Sequence, residues 1–258
     1  MGAIRLISLL AAALIDGALP PAAQKPPAGQ QQPPAPAPAK PYKPVAITSP
    51  KPLDDAGFDA LRKQLGAAAQ KKDRAALAKL VVTKGFFWDR ENGDAADKKK
   101  SGIDNLATAL GLGAKDSAGW DILASYAEEP TAAPSSGHKG AVCAPADPAF
   151  NGQEFDALLK ATQTDPGEWG YPVSADIDVH GAAQANAPVT GKLALALVRV
   201  MPEAGADTPS YLRVVTPDGK TGYVSVDSIA PIGNDQMCYA NEGGAWKIGG
   251  YIGGGEAQ

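Results

Sequence analysis

At 258 residues, with 44% apolar side chains, the chain has room for one or two packed domains. Its formal net charge is −4, with no dense basic cluster to offset it. That excludes an electrostatic nucleic-acid binder, which needs a phosphate-neutralising surface.

The N-terminus reads as an export signal. Arg5 gives a positive start, Leu6 to Ile15 form a short apolar run, and Asp16 ends it. Pro20-Pro-Ala-Ala-Gln24 offers a small-residue exit, with cleavage expected after Ala23, although Pro21 stands where a small residue is preferred. The run is too short to cross a bilayer as a helix, and no cysteine follows it to carry a lipid anchor. The expectation is a signal peptide over 1–23, no transmembrane helix after its removal, and a periplasmic or secreted location. The competing reading is a cytoplasmic chain with an apolar start.

Twelve of the 23 prolines fall between Pro20 and Pro52. Such a tract favours extended polyproline II over a packed core, so 24–52 is expected to be a disordered linker. A P-x-x-P pattern at Pro38-Ala-Lys-Pro41 is also the form of a ligand for an aromatic groove.

Short helices are predicted next. Asp54 or Asp55 caps a helix with Phe58, Leu61 and Leu65 on one face, which Gly66 and a lysine-rich turn interrupt. Asp73 caps a second, with Leu77, Leu80 and Val81. Phe86-Phe87-Trp88 reads as core or strand. Ser101 starts a third helix and Ser117 a fourth, which Pro130 stops. Thr131 to Asp147, small and polar, reads as a loop, and Asn151 to Thr162 as one more helix.

The periodicity then changes to short strands: Ile177/Val179, Leu193 to Val200, Leu212 to Val215 and Tyr223 to Val226. Pro217-Asp218-Gly219 between the last two is a hairpin turn, since proline presets φ and glycine accepts a positive one. Gln236 to Tyr239 and Ala245 to Ile248 flank Gly243-Gly244 as a last hairpin. That hairpin belongs either with the barrel or with the helical region, and the latter would tie the chain's two ends together.

Residues 168–232 resemble a bacterial SH3-like domain of exported envelope proteins. The resemblance is carried by Val189, Leu193, Val198-Val200, Tyr211-Leu-Arg-Val214, Asp218-Gly-Lys-Thr-Gly-Tyr-Val224 and Ile229-Ala-Pro231. It covers about a quarter of the chain. The family often has tryptophan where Tyr211 and Tyr223 stand, and lacks the excursion from Met201 to Pro209. The overall layout is also similar to that of uncharacterised secreted bacterial proteins, a similarity that carries no activity.

Cys143 and Cys238 are the only cysteines. In an oxidising envelope an even pair implies one disulfide, which closes a loop of about 95 residues and contributes about 4–5 kcal/mol in the chain-entropy model. The alternatives are two free thiols, or a nucleophile at Cys143 with His138 as base, for which no third residue to orient the imidazole is evident. Zinc spacing is absent. His180 reads as a solvated turn residue. Asp89, Glu91, Asp94 and Asp97 surround Gly93 without the spacing of a calcium loop, and read as a solvated acidic loop. Gly219-Lys220-Thr221 lacks the first glycine and the following helix of a phosphate loop. The glycines at 249–250 and 253–255 read as a fraying tail.

The aromatic set Trp169, Tyr171, Tyr211 and Tyr223 remains for recognition. Strand alternation puts Tyr211, Arg213 and Val215 on one face, with Leu212 and Val214 on the other. The expected fold is α+β: a mostly helical domain over 53–165, an SH3-like β-barrel over 166–232, and a C-terminal hairpin and tail over 233–258. The expected function is a non-catalytic envelope protein that binds a peptide, a cell-wall glycopeptide or a partner protein through those four aromatics. No catalytic set, metal site or cofactor is called for. The alternatives are an envelope-acting hydrolase with its site in 53–165, and a structural or assembly protein with no groove.

Overall fold

The computed structural model describes residues 39–113, 118–201 and 209–253. The export-signal segment, Ser117 and most of the 201–209 excursion lie outside the described residues. The protein is α+β, with five α-helices and three sheets among those residues.

Helices begin where side chains can accept the free N–H groups of a first turn. Asp55 caps α1 (Ala56–Gln70) by accepting from Phe58 N, and Asp73 caps α2 (Arg74–Ala78) by accepting from Ala76 N. Ser101 caps α3 (Gly102–Ala109), and Asn151 caps α5 (Gly152–Thr162). Between them runs α4 (Ala118–Glu128). Gly66 does not break α1. A methyl there would stand 3.4 Å from Ala127 Cβ of α4, an ordinary contact distance.

The strands of the first half are β1 (Ile47–Thr48), β2 (Phe87–Arg90), β3 (Gly93–Asp94), β4 (Ala133–Pro134), β5 (Ala141–Ala144) and β6 (Ala149–Phe150). The second half carries β7 (Trp169–Pro172), β8 (Ile177–His180), β9 (Val189–Leu193), β10 (Val198–Met201) and β11 (Tyr211–Val215). After these come β12 (Thr221–Ser225), β13 (Ile229–Pro231), β14 (Gln236–Glu242) and β15 (Ala245–Ile252).

The region 53–165 carries all five described helices, and it is not helical alone. It holds part of a six-stranded sheet in the order β3-β2-β15-β14-β5-β4, whose two central strands come from the C-terminus. These two pair antiparallel across Gly243 and Gly244, both at positive φ, as a tight hairpin turn requires. β5, within the stretch read as a loop, pairs with β14, while β2 runs parallel to β15. Phe58, Leu65, Leu77, Leu106 and Leu123 pack with Met237, Tyr239 and Ile248 in a core that excludes water. Nor do Gly249 and Gly250 fray. Both lie in β15, and the Phe87 ring occupies the space a side chain at Gly250 would need.

The second large sheet is ordered β13-β7-β10-β11-β12-β8-β9. Among the described residues no ladder joins β13 to β9, so the sheet is open rather than a closed barrel. Val179, Leu193, Val198, Val214, Val224 and Ile229 form its core on one face. The apolar run from Leu193 to Val200 divides at 194–197, where a segment from the expected linker covers it. Ile47 N donates to Leu195 O and Leu197 N to Val45 O.

Residues 39–52 are therefore part of the fold and not spacer. Val45 and Ile47 are buried with Phe155, Leu158, Trp169, Tyr171 and Leu197. Tyr42 donates through its backbone N–H to Pro217 O and through its hydroxyl to Val215 O. Proline removes donors but leaves carbonyls and apolar surface, and the interspersed Tyr42, Val45 and Ile47 supply what a pure proline tract lacks.

Candidate functional site

The outward face of the second large sheet carries a row of side chains set by register. Met201 stands opposite Arg213, Arg213 opposite Tyr223, and Tyr223 opposite His180. Tyr211 lies two residues from Arg213 on the same face, because side chains alternate along a strand. Its ring meets His180 edge-on, with centroids 6.5 Å apart. All five are half-buried. Their neighbours Leu212, Val214 and Val224 point into the core, so one face packs and the other is displayed. Val215, expected beside Tyr211 and Arg213, is fully buried where Tyr42 crosses the sheet.

His180 is a strand-end residue rather than a solvated turn histidine. Its Nδ1 donates to Ala187 O at 2.9 Å and fastens the turn that follows. Next to it, Asp178 is held by Lys192 at 2.6 Å, and that hydrogen bond lowers the aspartate pKa.

Trp169 and Tyr171 do not join Tyr211 and Tyr223. All four residues of β7 are buried, with Trp169 1% and Tyr171 5% exposed. Trp169 Nε1 donates to Thr164 Oγ1 at 2.8 Å, and Tyr42 meets its ring edge-on at 5.1 Å. Burial raises the Tyr171 pKa, and the nearby Asp147 and Glu129 carboxylates add to the shift. These two aromatics are core because α5 and the 39–48 segment cover the face of β7 that strand alternation leaves outside.

A second site lies in the other sheet, in a cleft of about 340 Å³ lined by residues including Asp89, Ser135, His138, Cys143, Asp147 and Gln236. His138 Nε2 is 2.6 Å from Asp89 Oδ2, and its ring stacks on Phe87 with centroids 3.5 Å apart. Asp89 is thus the partner for the imidazole that the sequence did not reveal, 49 positions away. An imidazole held this way can move a proton at its other nitrogen. The nearby sulfur supplies no nucleophile. Cys143 and Cys238 face each other across β5 and β14 and form a disulfide, S–S 2.01 Å. Such a bond forms and persists in an oxidising environment.

Two of the acids around Gly93, and the one in the Pro217-Asp218-Gly219 turn, are held locally. Asp94 accepts from Trp88 N and Ala96 N and pairs with Lys98. Burial pushes its pKa up, but those hydrogen bonds outweigh burial and lower it. Asp97 accepts from Lys99 N. Lys220 pairs with Asp218 at 2.7 Å inside the hairpin turn, which holds the carboxyl down at about 2. Among the described residues no group of three or more histidines, cysteines or acids could hold a metal ion. No helix among them is long and apolar enough to cross a membrane.

Comparison with family models, with curated proteins and with solved structures found no match.

Proposed function

We propose that this is an exported, non-catalytic envelope protein whose 166–232 region is an SH3-like module that binds a peptide, a cell-wall glycopeptide or a partner protein. The observation that carries this reading is the Met201–Arg213–Tyr223–His180 row, with Tyr211 beside it, displayed opposite a packed apolar face. Tyrosine suits such a surface because its ring packs while its hydroxyl stays wet. The strand order supports the module. β7, β10, β11, β12 and β13 follow one another with antiparallel neighbours, a long β8–β9 hairpin is inserted after the first, and a 3₁₀ turn (Val226–Ser228) precedes the last. The disulfide supports export. Of the four aromatics expected at a ligand site, Tyr211 and Tyr223 are retained in this reading, and Trp169 and Tyr171 are core residues.

The test is co-sedimentation of the oxidised mature chain with purified cell-wall sacculi at low and moderate salt. Salt-resistant binding, lost in Tyr223→Ala with thermal stability retained, is the expected result. Unfolding of that variant instead would make Tyr223 a packing residue and favour the structural role. The Asp89–His138 pair favours one second reading, an envelope hydrolase, and release of soluble wall fragments in the same assay would bring it forward.

A further inference from the structure

Asn-Gly occurs twice in the chain, at Asn92-Gly93 and at Asn151-Gly152. The fold treats the two dipeptides differently. Asn151 caps α5, and its Oδ1 accepts from Gln153 N at 3.0 Å and from Glu154 N at 3.2 Å. Asn92 lies at the exposed tip between β2 and β3, and among the described residues no hydrogen bond holds its side chain. Gly93 is exposed too, at φ 95, with nothing beyond its chain neighbours within 4 Å of where a side chain would stand. Only two register pairs, Asp89 with Asp94 and Arg90 with Gly93, hold β3 to β2, and β3 is an edge strand.

An asparagine amide carbon is open to attack by the backbone nitrogen that follows it, and a following glycine leaves that nitrogen uncrowded. Attack forms a bond from Gly93 N to Asn92 Cγ, and the Cγ–Nδ2 bond breaks. Nδ2 departs as ammonia with the proton of Gly93 N, leaving a five-membered imide. Water then opens the ring at either carbonyl. One product is aspartate at position 92. The other is an isoaspartyl linkage, which carries one extra methylene in the main chain. The backbone must leave its turn geometry for the attack, so the reaction follows local opening. An edge hairpin of two pairs opens at small cost, whereas opening the start of α5 must also break the cap.

We infer that Asn92-Gly93 is a self-modification site, at which the chain converts its own asparagine to aspartyl and isoaspartyl forms with water as the co-reactant. The site lies in the six-stranded sheet and does not depend on the binding face. Conversion places a new carboxylate beside Glu91 and Asp94 and adds one negative charge to the chain's −4. The isoaspartyl form also lengthens a two-residue turn and takes β3 out of register with β2. Asp94, which accepts from Trp88 N at 3.0 Å and Ala96 N at 2.9 Å, then loses those bonds.

The experiment incubates the oxidised, folded chain at mildly alkaline pH and follows its proteolytic peptides by mass spectrometry. The peptide holding Asn92 should gain about one dalton, as an amide becomes an acid, and separate into two forms. It should convert at least about 5-fold faster than the peptide holding Asn151, the ratio for the ~1 kcal/mol that a helix cap contributes. In denaturant the two should convert at similar rates, because neither dipeptide is then held. Asn92→Gln should lose the gain at that position, since the longer side chain does not close the five-membered ring. Absence of any gain at Asn92 in the folded chain overturns the site. Equal rates in the folded chain, or a slow Asn151 in denaturant, overturn the selection by the fold. In the isoaspartyl fraction, hydrogen exchange should quicken at the Trp88 and Ala96 amides, and unchanged protection there overturns the consequence for β3.

Discussion

The two large sheets are built in opposite ways. The seven-stranded sheet draws its strands from one continuous stretch, 169–231, largely through neighbouring antiparallel pairs. The six-stranded sheet takes its strands from 87–94, 133–144 and 236–252, and its central pair comes from the last of these segments in chain order. Local pairing closes short loops, whereas the second arrangement must close long ones before any contact compensates. The chain's one disulfide lies in the sheet that needs it, across β5 and β14. The local sheet, free of that burden, displays the part of one face formed by β8, β11 and β12. In this molecule the long-range half is given to cohesion and the local half to presentation.

Breaking the disulfide should therefore have the largest effect and should fall unequally. Replacing Cys143 and Cys238 by serine is expected to cost about 2–5 kcal/mol, read as a shift of the denaturant midpoint. Hydrogen exchange should rise first in 141–144 and 236–252, while the β11–β12 hairpin keeps its protection. Simultaneous loss in both sheets would show that they unfold as one unit and would erase the contrast.

A smaller effect sharpens the comparison from the other side. Gly219 sits at φ 81, and a side chain there would meet Ala39 O at 2.6 Å and Pro41 N at 3.0 Å. Gly219→Ala combines a left-handed backbone penalty with displacement of the 39–48 segment, an expected cost of about 2 kcal/mol. The readout is faster exchange at Tyr42, Ile47 and Leu197 amides, with no change in the six-stranded sheet. If those three amides keep their protection, the segment does not depend on the turn.

What the sequence disclosed follows the same division. Helix starts at Asp54 or Asp55, Asp73, Ser101 and Asn151, and the Pro217-Asp218-Gly219 turn, were legible because each depends on a few adjacent residues. The alternation of Tyr211 and Arg213 against Leu212 and Val214 was legible for the same reason. The six-stranded sheet was not. Ala141-Val-Cys-Ala144 has no period to mark it as a strand, and Gly249-Gly250 resembles a tail until Phe87 is brought over it. Trp169 and Tyr171 were misplaced because alternation assumes one exposed face, and β7 has none. Asp89 and His138 meet through the parallel pairing of β2 with β15 and the turn before β5, a juxtaposition that no local pattern encodes.

The smallest effect expected has the opposite sign, and it lies inside the cohesive half. Tyr239 is fully buried, and among the described residues its hydroxyl has no hydrogen-bond partner, as is true of Arg62 Nε. A buried hydroxyl without a partner costs desolvation that a ring hydrogen does not, so Tyr239→Phe should raise stability by about 1 kcal/mol near neutral pH. Burial also raises the pKa of Tyr239 and Tyr251, and pushes Tyr126 up to about 12. These phenols hold their protons more tightly folded than unfolded, where the ordinary value is 10.0. Their share of stability is complete below pH 10.0 and is lost as pH rises above it toward the raised folded values, about 12 for Tyr126. Tyr239→Phe should make that alkaline decline shallower, followed by tyrosinate absorbance alongside unfolding. A loss of stability in Tyr239→Phe would mean that the hydroxyl is bonded after all, and that the six-stranded core depends on a polar contact as well as on packing.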